Sequence, residues 1–147
     1  MTAATPPPLI LLLDKIARVS AQRFAQGIAD LDITPRHVGA LTAAARQDAP
    51  SQAELAAWLG VGPSAVVAIV DELEARGAVA RSPDAANRRR QIITVTDEGA
   101  RLLAEATRRA EEMDRDLLSG LPPELKEAFG TATRLIAVRL GVGGSPS

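Results

Sequence analysis

The sequence predicts a mainly α-helical fold with one small β-hairpin. Apolar residues recur at three- and four-residue steps along most of the 147-residue chain, which is the period of amphipathic helices. Two β-prone stretches, AVARS and QIITVT, interrupt that period and enclose a turn rich in Pro, Asp and Asn. Because this hairpin directly follows two short helices joined by a tight turn, the expected architecture is a winged helix–turn–helix with further helices at both ends.

The first helix is predicted within residues 8–33, after a Pro-rich tail over residues 1–7. Its apolar positions run from Leu9 to Ile28 at helical spacing. The next helix is predicted to begin at TPRH, where Thr34 can cap the helix and Pro35 suits its first turn.

A helix–turn–helix is predicted between Ser51 and Gly77. Ser51 and Glu54 have the spacing of a capping box, and Gly60 ends this short helix. The second helix extends from Pro63 to Arg76 and again repeats apolar residues at helical spacing. With the hairpin, these helices form a predicted lobe over residues 34–96.

Two further helices are predicted over residues 97–140, followed by a loose tail over residues 141–147. Thr96 can cap the first, and the breaker GLPPEL separates it from the last, which runs from about Glu124 to Leu140. These helices and the first one carry apolar faces that one small winged module cannot cover. A two-fold homodimer would bury those faces, whereas a monomer would have to fold them onto the module as a helical cap.

The composition argues against several classes of function. Aromatic residues make up only 2%, which is too few for a protein that binds single strands or RNA by stacking. There is no cysteine and a single histidine, His37, so neither a thiolate zinc site nor a multi-histidine metal site is expected. No catalytic Ser/His/Asp arrangement and no phosphate loop is present, and we predict neither an enzyme nor a bound cofactor.

The longest apolar run near the start is LILLL, Leu9 to Leu13, which is too short to span a bilayer. No basic residue precedes it, as a signal peptide would require. We therefore expect a cytoplasmic protein without a membrane partner.

Positive charge is concentrated in the hairpin. The whole chain has a net charge of −1, yet residues 76–90 contain five arginines and one acid. Arg88, Arg89 and Arg90 are adjacent and repel one another, which is costly unless solvent or a polyanion lies close. A charge run is usually a solvated turn, but this one falls at the tip of a hairpin beside a helix–turn–helix. We therefore expect it to contact nucleic acid.

The chain contains, in order, the segments LDITPRHVGAL, SQAELAAWLGVGPSAVVAIVDELEARGAV and RSPDAANRRRQIITVTDEG. Together they resemble the multiple-antibiotic-resistance regulator (MarR) family of winged-helix transcription regulators, over about residues 8–140. The resemblance implies a homodimer that binds palindromic double-stranded DNA, usually as a repressor of nearby genes. It also implies release by a small effector, commonly a phenolic or aromatic acid.

The resemblance assigns base contacts to the start of the second helix of the helix–turn–helix. The corresponding residues are Pro63, Ser64, Ala65, Val67 and Ala68. Many relatives have threonine, threonine and arginine where this chain has Ala65, Val67 and Ala68. Alanine and valine can contact thymine methyl groups but cannot read guanine bidentately, so we expect modest base specificity.

The expected wing contacts are Arg81, Asn87, Arg88, Arg89 and Arg90. The family often has aspartate at the position of Asn87, where it orients the arginine that enters the minor groove. Asparagine accepts a hydrogen bond but brings no negative charge, which leaves that orienting role open. Narrow, AT-rich minor grooves attract arginine, and we expect a preference for such sequences.

Five further residues are candidates for binding. Arg36, Ser51 and Gln52 lie at helix starts, where they could contact phosphate, although Ser51 could serve only as a cap. Arg23 and His37 are candidates for an effector pocket. Arg23 could equally form an ion pair between helices, and His37 could simply pack or face solvent.

Two other functions are compatible with the sequence. Winged helices also bind proteins, and the apolar start of the second helix leaves that function open. A small-molecule-binding protein without a DNA function is a weaker alternative. Salt dependence separates these functions, because a DNA binder loses affinity with a slope of about −0.9 per neutralised phosphate on a log–log plot.

Overall fold

The computed structural model describes residues 6–47 and 49–142. The helices are α1 (Leu9–Gly27), α2 (Pro35–Arg46), α3 (Gln52–Leu59), α4 (Pro63–Ala75), α5 (Asp97–Leu117) and α6 (Pro123–Leu140), and the strands are β1 (Val79–Pro83) and β2 (Gln91–Val95). A short 3₁₀ turn, Ala29–Leu31, connects α1 to α2. The predicted winged helix–turn–helix is confirmed, while most of the two predicted tails (residues 1–5 and 143–147) lies outside the described residues.

Three helix starts are fixed by side chains that the sequence identifies. The hydroxyls of Thr34, Ser51 and Thr96 each accept a hydrogen bond from the backbone N–H three residues further on. Each bond satisfies a donor that the first turn of a helix otherwise leaves without a partner. Gly60 and Gly77, with φ of 65° and 69°, adopt the left-handed conformation directly after α3 and near the end of α4.

The helix–turn–helix and the hairpin share one aliphatic core. The largest fully buried side chains in it are Leu41, Leu55, Val66, Val70, Leu73 and Ile93. β1 and β2 pair antiparallel, with Val79 opposite Val95 and Pro83 opposite Gln91. Because one face of α4 is buried in this core, the opposite face is directed to solvent.

A second, smaller core joins the end of α1 to α5. Ile28, Ile33 and Ala106 are buried there. Arg109 of α5 donates a hydrogen bond to the Gly27 carbonyl oxygen at 2.8 Å and forms an ion pair with Asp30. These contacts attach the long flanking helices to the lobe that contains the helix–turn–helix.

Elsewhere the flanking helices leave apolar surface uncovered. Within the described residues, neither α1 nor α6 contains a buried position. Large apolar side chains on both helices are exposed, among them Leu9, Ile16, Val19, Phe129, Leu135 and Ile136. In the single chain, α6 is not folded onto the winged module as a buried cap.

Among the described residues, no single helix is both long enough and apolar enough to cross a bilayer. α3 and α4 reach that length and composition only as a pair, which is bent by 108°.

Candidate nucleic-acid interface

α4 presents a short, uncharged surface to solvent at its N-terminal end. Pro63, Ser64, Val67 and Ala68 are exposed there, and Ala65 is half-buried. The first turn contains no acidic side chain, and its backbone N–H groups carry the positive end of the helix dipole. This surface can contact thymine methyl groups and phosphate, but it has no side chain that reads guanine bidentately.

The turn between β1 and β2 is shaped by its own side chains. Asp84 Oδ1 accepts a hydrogen bond from the backbone N–H of Ala86 at 2.9 Å, and Asn87 Oδ1 accepts one from that of Arg89 at 3.2 Å. The backbone N–H of Asp84 donates to the Arg90 carbonyl oxygen at 2.8 Å, which closes the turn. Asn87 therefore acts on the backbone that carries Arg89.

The side chains of Arg88 and Arg89 lie at the tip of the hairpin and are exposed. In the described part of the chain, no acidic side chain pairs with either guanidinium group. Both guanidinium groups are therefore available to pair with an external anion.

Arg81, one of the expected wing contacts, forms ion pairs inside the lobe. Its guanidinium group lies 2.6 Å from both Asp71 and Glu74 of α4 and donates to Gln52 Oε1 of α3 at 3.4 Å. Burial opposes the charge, but the hydrogen bonds and charges of the two acids outweigh it and raise the pKa of Arg81 above its ordinary value. With its side chain only 20% exposed, Arg81 braces β1 against α3 and α4.

Arg90, the last residue of the turn before β2, is also engaged. Its guanidinium group lies 2.6 Å from Glu54 of α3 and 3.7 Å from Asp84. The hydrogen bond from the Ser51 backbone N–H, together with the Arg90 guanidinium group, holds the pKa of the Glu54 carboxyl below its usual value. Of the five expected wing residues, Arg81 ties β1 to α3 and α4 and Arg90 ties the end of the turn to α3, while Asn87, Arg88 and Arg89 form the tip.

The three expected phosphate contacts differ in accessibility. Arg36 is exposed in the first turn of α2. Ser51 is only 7% exposed, and its hydroxyl caps α3 by accepting from the Glu54 backbone N–H at 3.2 Å. Gln52 is half-buried, and its side-chain oxygen already accepts from Arg81. The reading of Ser51 as a cap is confirmed, and burial removes most of its surface from contact with a phosphate.

The structure separates the two residues that were expected to line an effector pocket. Arg23 lines a cavity of about 150 Å³ between α1 and α5. The other lining residues are Ser20, Phe24, Ala110, Met113, Asp114 and Leu117. His37 does not line this cavity. It is 4% exposed, its Nδ1 accepts from the Thr34 backbone N–H at 3.0 Å, and its Nε2 lies 2.7 Å from Glu72 Oε2 of α4.

Sequence reasoning missed the partners of Arg81, Arg90 and His37. Asp71 and Glu74 are three residues apart and share a face of α4, so one arginine can reach both. The choice among several arginines depends on how β1 passes α4, and the sequence pattern does not contain that information.

The fold and the site together define a winged helix–turn–helix protein, the architecture of many transcription regulators. The sequence profile of the MarR family matches residues 31–90. A Thauera aromatica protein to which transcriptional regulation of the hcr operon is ascribed is 30% identical over 101 residues. That match covers 68% of this chain and 61% of the length of the relative.

Two solved structures are similar along nearly the whole chain. Each is 28% identical to this protein, and each match covers 88% of this chain and 91% of the other. One is a MarR-family transcriptional regulator from Rhodococcus sp. RHA1, with a TM-score of 0.77. The other is CouR from Rhodococcus jostii RHA1 bound to p-coumaroyl-CoA, with a TM-score of 0.73. The chain is therefore similar to MarR-family transcriptional regulators, in its sequence profile over residues 31–90 and in its fold over most of its length.

Proposed function

We propose that this regulator binds double-stranded DNA as a homodimer and represses the genes beside its operator. One observation carries the proposal. Within the described residues, the guanidinium groups of Arg88 and Arg89 lie unpaired at the tip of a wing that the ion pairs of Arg81 and Arg90 attach to the lobe. The start of α4, which has no acidic side chain in its first turn, belongs to the same lobe. A flexible run of arginines would lose conformational entropy on binding. A wing that is already held by ion pairs before binding loses less of it.

In the proposed complex, the start of α4 enters the major groove. Pro63, Ser64, Val67 and Ala68 face the bases, and Ala65 contacts them at the edge of this surface. The wing enters the neighbouring minor groove, where Arg89 and Arg88 meet the high negative potential of AT-rich sequence. Arg36, and to a smaller extent Gln52, contact the phosphate backbone.

The other wing residues have a positioning role in this proposal. Arg81 and Arg90 form ion pairs with acidic side chains of α3, α4 and the wing turn. In this proposal they hold the wing against the lobe and do not contact DNA. Ser51 supplies the cap of α3.

A second copy of the chain is the proposed cover for the apolar faces of α1 and α6. Leu9 is 76% exposed and Leu135 is 66% exposed in the single chain. Burying one leucine side chain stabilises a protein by about 1.5–3 kcal/mol, so several such residues on each protomer favour association. Two-fold symmetry would place the two copies of α4 on successive major grooves, with half-sites about 10 bp apart.

The cavity between α1 and α5 is the proposed effector site. Its wall is mainly apolar, and Arg23 can meet an anionic group on a ligand. CouR, one of the similar structures, was solved with p-coumaroyl-CoA, which supports an aromatic acid or a derivative of one as the class of effector. Such a ligand can release DNA only by binding more tightly to an arrangement of the dimer that does not fit the operator.

Selection of duplexes from a random pool, followed by fluorescence anisotropy between about 50 and about 200 mM salt, tests the proposal. We expect selected sites to be palindromic, and log affinity to fall linearly with log salt. Sedimentation of the free protein should give a dimer. Failure to enrich any duplex, or an affinity that does not change with salt, would contradict DNA binding and favour the protein-interaction function.

A further inference from the structure

His37 connects two helices through both nitrogens of its ring. Nδ1 accepts a hydrogen bond from the backbone N–H of Thr34 at the start of α2, at 3.0 Å. A nitrogen that accepts a hydrogen bond carries no proton, so the neutral ring carries its proton on Nε2. Nε2 therefore donates to Glu72 Oε2 of α4, at 2.7 Å. One nearly buried side chain thus joins the cap of α2 to the helix that faces the proposed DNA site.

We propose that neutral His37 is a positioning residue that fixes the orientation of α4 for binding to DNA, an inference that rests on the proposed function. The core side chains of α4, such as Val70 and Leu73, make apolar contacts, which are not directional. A hydrogen bond fixes a distance and an angle, and here it joins α4 to α2. Asp71 and Glu74, on either side of Glu72, join the same helix to Arg81 of the wing. The acidic residues of α4 consequently hold this helix between α2 and the wing.

Among the charged groups of the described residues, on α2, on α4 and on the elements packed against them, only the Glu72 carboxylate lies within ion-pair distance of the ring. The neighbouring acids Asp71 and Glu74 are paired with Arg81.

Two substitutions of Glu72 form a matched pair for the test. Glu72→Gln and Glu72→Ala both remove the same negative charge, but only glutamine keeps an oxygen that can accept from His37 Nε2. Because a hydrogen bond contributes about 1 kcal/mol, we expect the alanine variant to bind a selected duplex about fivefold more weakly than the glutamine variant. The slope of log affinity against log salt should be the same in both, because neither residue contacts phosphate.

His37→Gln tests the same connection from the side of α2. Glutamine at this position can still accept from the Thr34 N–H, as in an ordinary capping box, but it has no second ring nitrogen for Glu72. Because the variant loses a hydrogen bond of about 1 kcal/mol to α4, we expect it to bind a selected duplex about fivefold more weakly than wild type. Urea unfolding confirms that every variant is folded when binding is measured, so a loss of stability alone would not move these affinities.

Equal affinities of the two Glu72 variants, or a His37→Gln variant that binds the duplex as tightly as wild type, would overturn the inference while leaving DNA binding intact. A wild-type protein that binds no duplex would instead overturn the proposed function, and the inference with it.

Discussion

The sharpest prediction concerns the two free arginines of the wing tip. Arg88→Ala with Arg89→Ala removes two exposed guanidinium groups that have no acidic partner in the described residues, so the fold should not change. Each lost phosphate neutralisation lowers the slope of log affinity against log salt by about 0.9, which gives about 1.8 for one protomer and about 3.6 for a dimer. On a log–log plot, the electrostatic contribution to affinity is zero at about 1 M salt. A loss of about 3.6 in slope therefore lowers the affinity at about 0.15 M salt by roughly three orders of magnitude.

Fluorescence anisotropy of a labelled duplex across a salt series gives this slope directly. Arg88→Lys with Arg89→Lys is the matched control, because lysine keeps both charges and loses only the planar fork of arginine. The lysine variant should retain the salt slope and lose affinity mainly for AT-rich sites. An alanine variant with the wild-type slope would show that the wing tip does not meet the phosphate backbone.

Three further predictions follow from packing and charge. Arg81→Ala leaves two carboxylates without their partner, so we expect the free energy of unfolding in urea to fall by about 1–2 kcal/mol and duplex affinity to fall at an unchanged salt slope. A reduced salt slope would instead place Arg81 on the DNA. Gly99→Ala adds a Cβ that would lie 2.0 Å from the Ala78 carbonyl oxygen, and overpacking of this kind should cost about 1–3 kcal/mol in the same assay; wild-type stability would show that the start of α5 can move away. Hydrogen bonds from two arginines, first from Arg108, lower the pKa of Glu105 from 4.5 to about 2. Between these pH values the unfolded chain binds a proton that the folded chain does not, so this contribution to stability is lost as the pH falls through that range. Glu105→Gln should therefore flatten the acid limb of the unfolding curve, and an unaltered limb would contradict the assignment.

The sequence predicts most of the fold because the decisive signals are local. The caps at Thr34, Ser51 and Thr96 act on residues only three positions away, and their side chains alone identify them. The hairpin is recognised by the change from helical period to β-prone residues around a turn. These features depend on neighbours in the chain, which the sequence contains directly.

The roles of the individual site residues depend on contacts between distant segments, which the sequence pattern does not give. Arg88 and Arg90 are equivalent as members of a run of three arginines, but only Arg90 reaches Glu54, 36 residues earlier. His37 was a candidate for binding an effector, and its partner Glu72 is 35 residues away on another helix. The register of the hairpin and the packing of α2 on α4 decide both outcomes.

The pairing of charges within the wing also bears on the proposed homodimer. Two of the five arginines in residues 76–90, Arg81 and Arg90, are neutralised by acidic side chains of the lobe itself. As proposed, one protomer then offers the two guanidinium groups of the wing tip to the minor groove, and the exposed start of α4 has no side chain for a bidentate contact to guanine. We therefore expect direct readout by a single lobe to be weak. In the proposed complex, specificity must come from the fixed spacing of two lobes and from the shape of the two minor grooves they meet, and both depend on the helices that join the protomers.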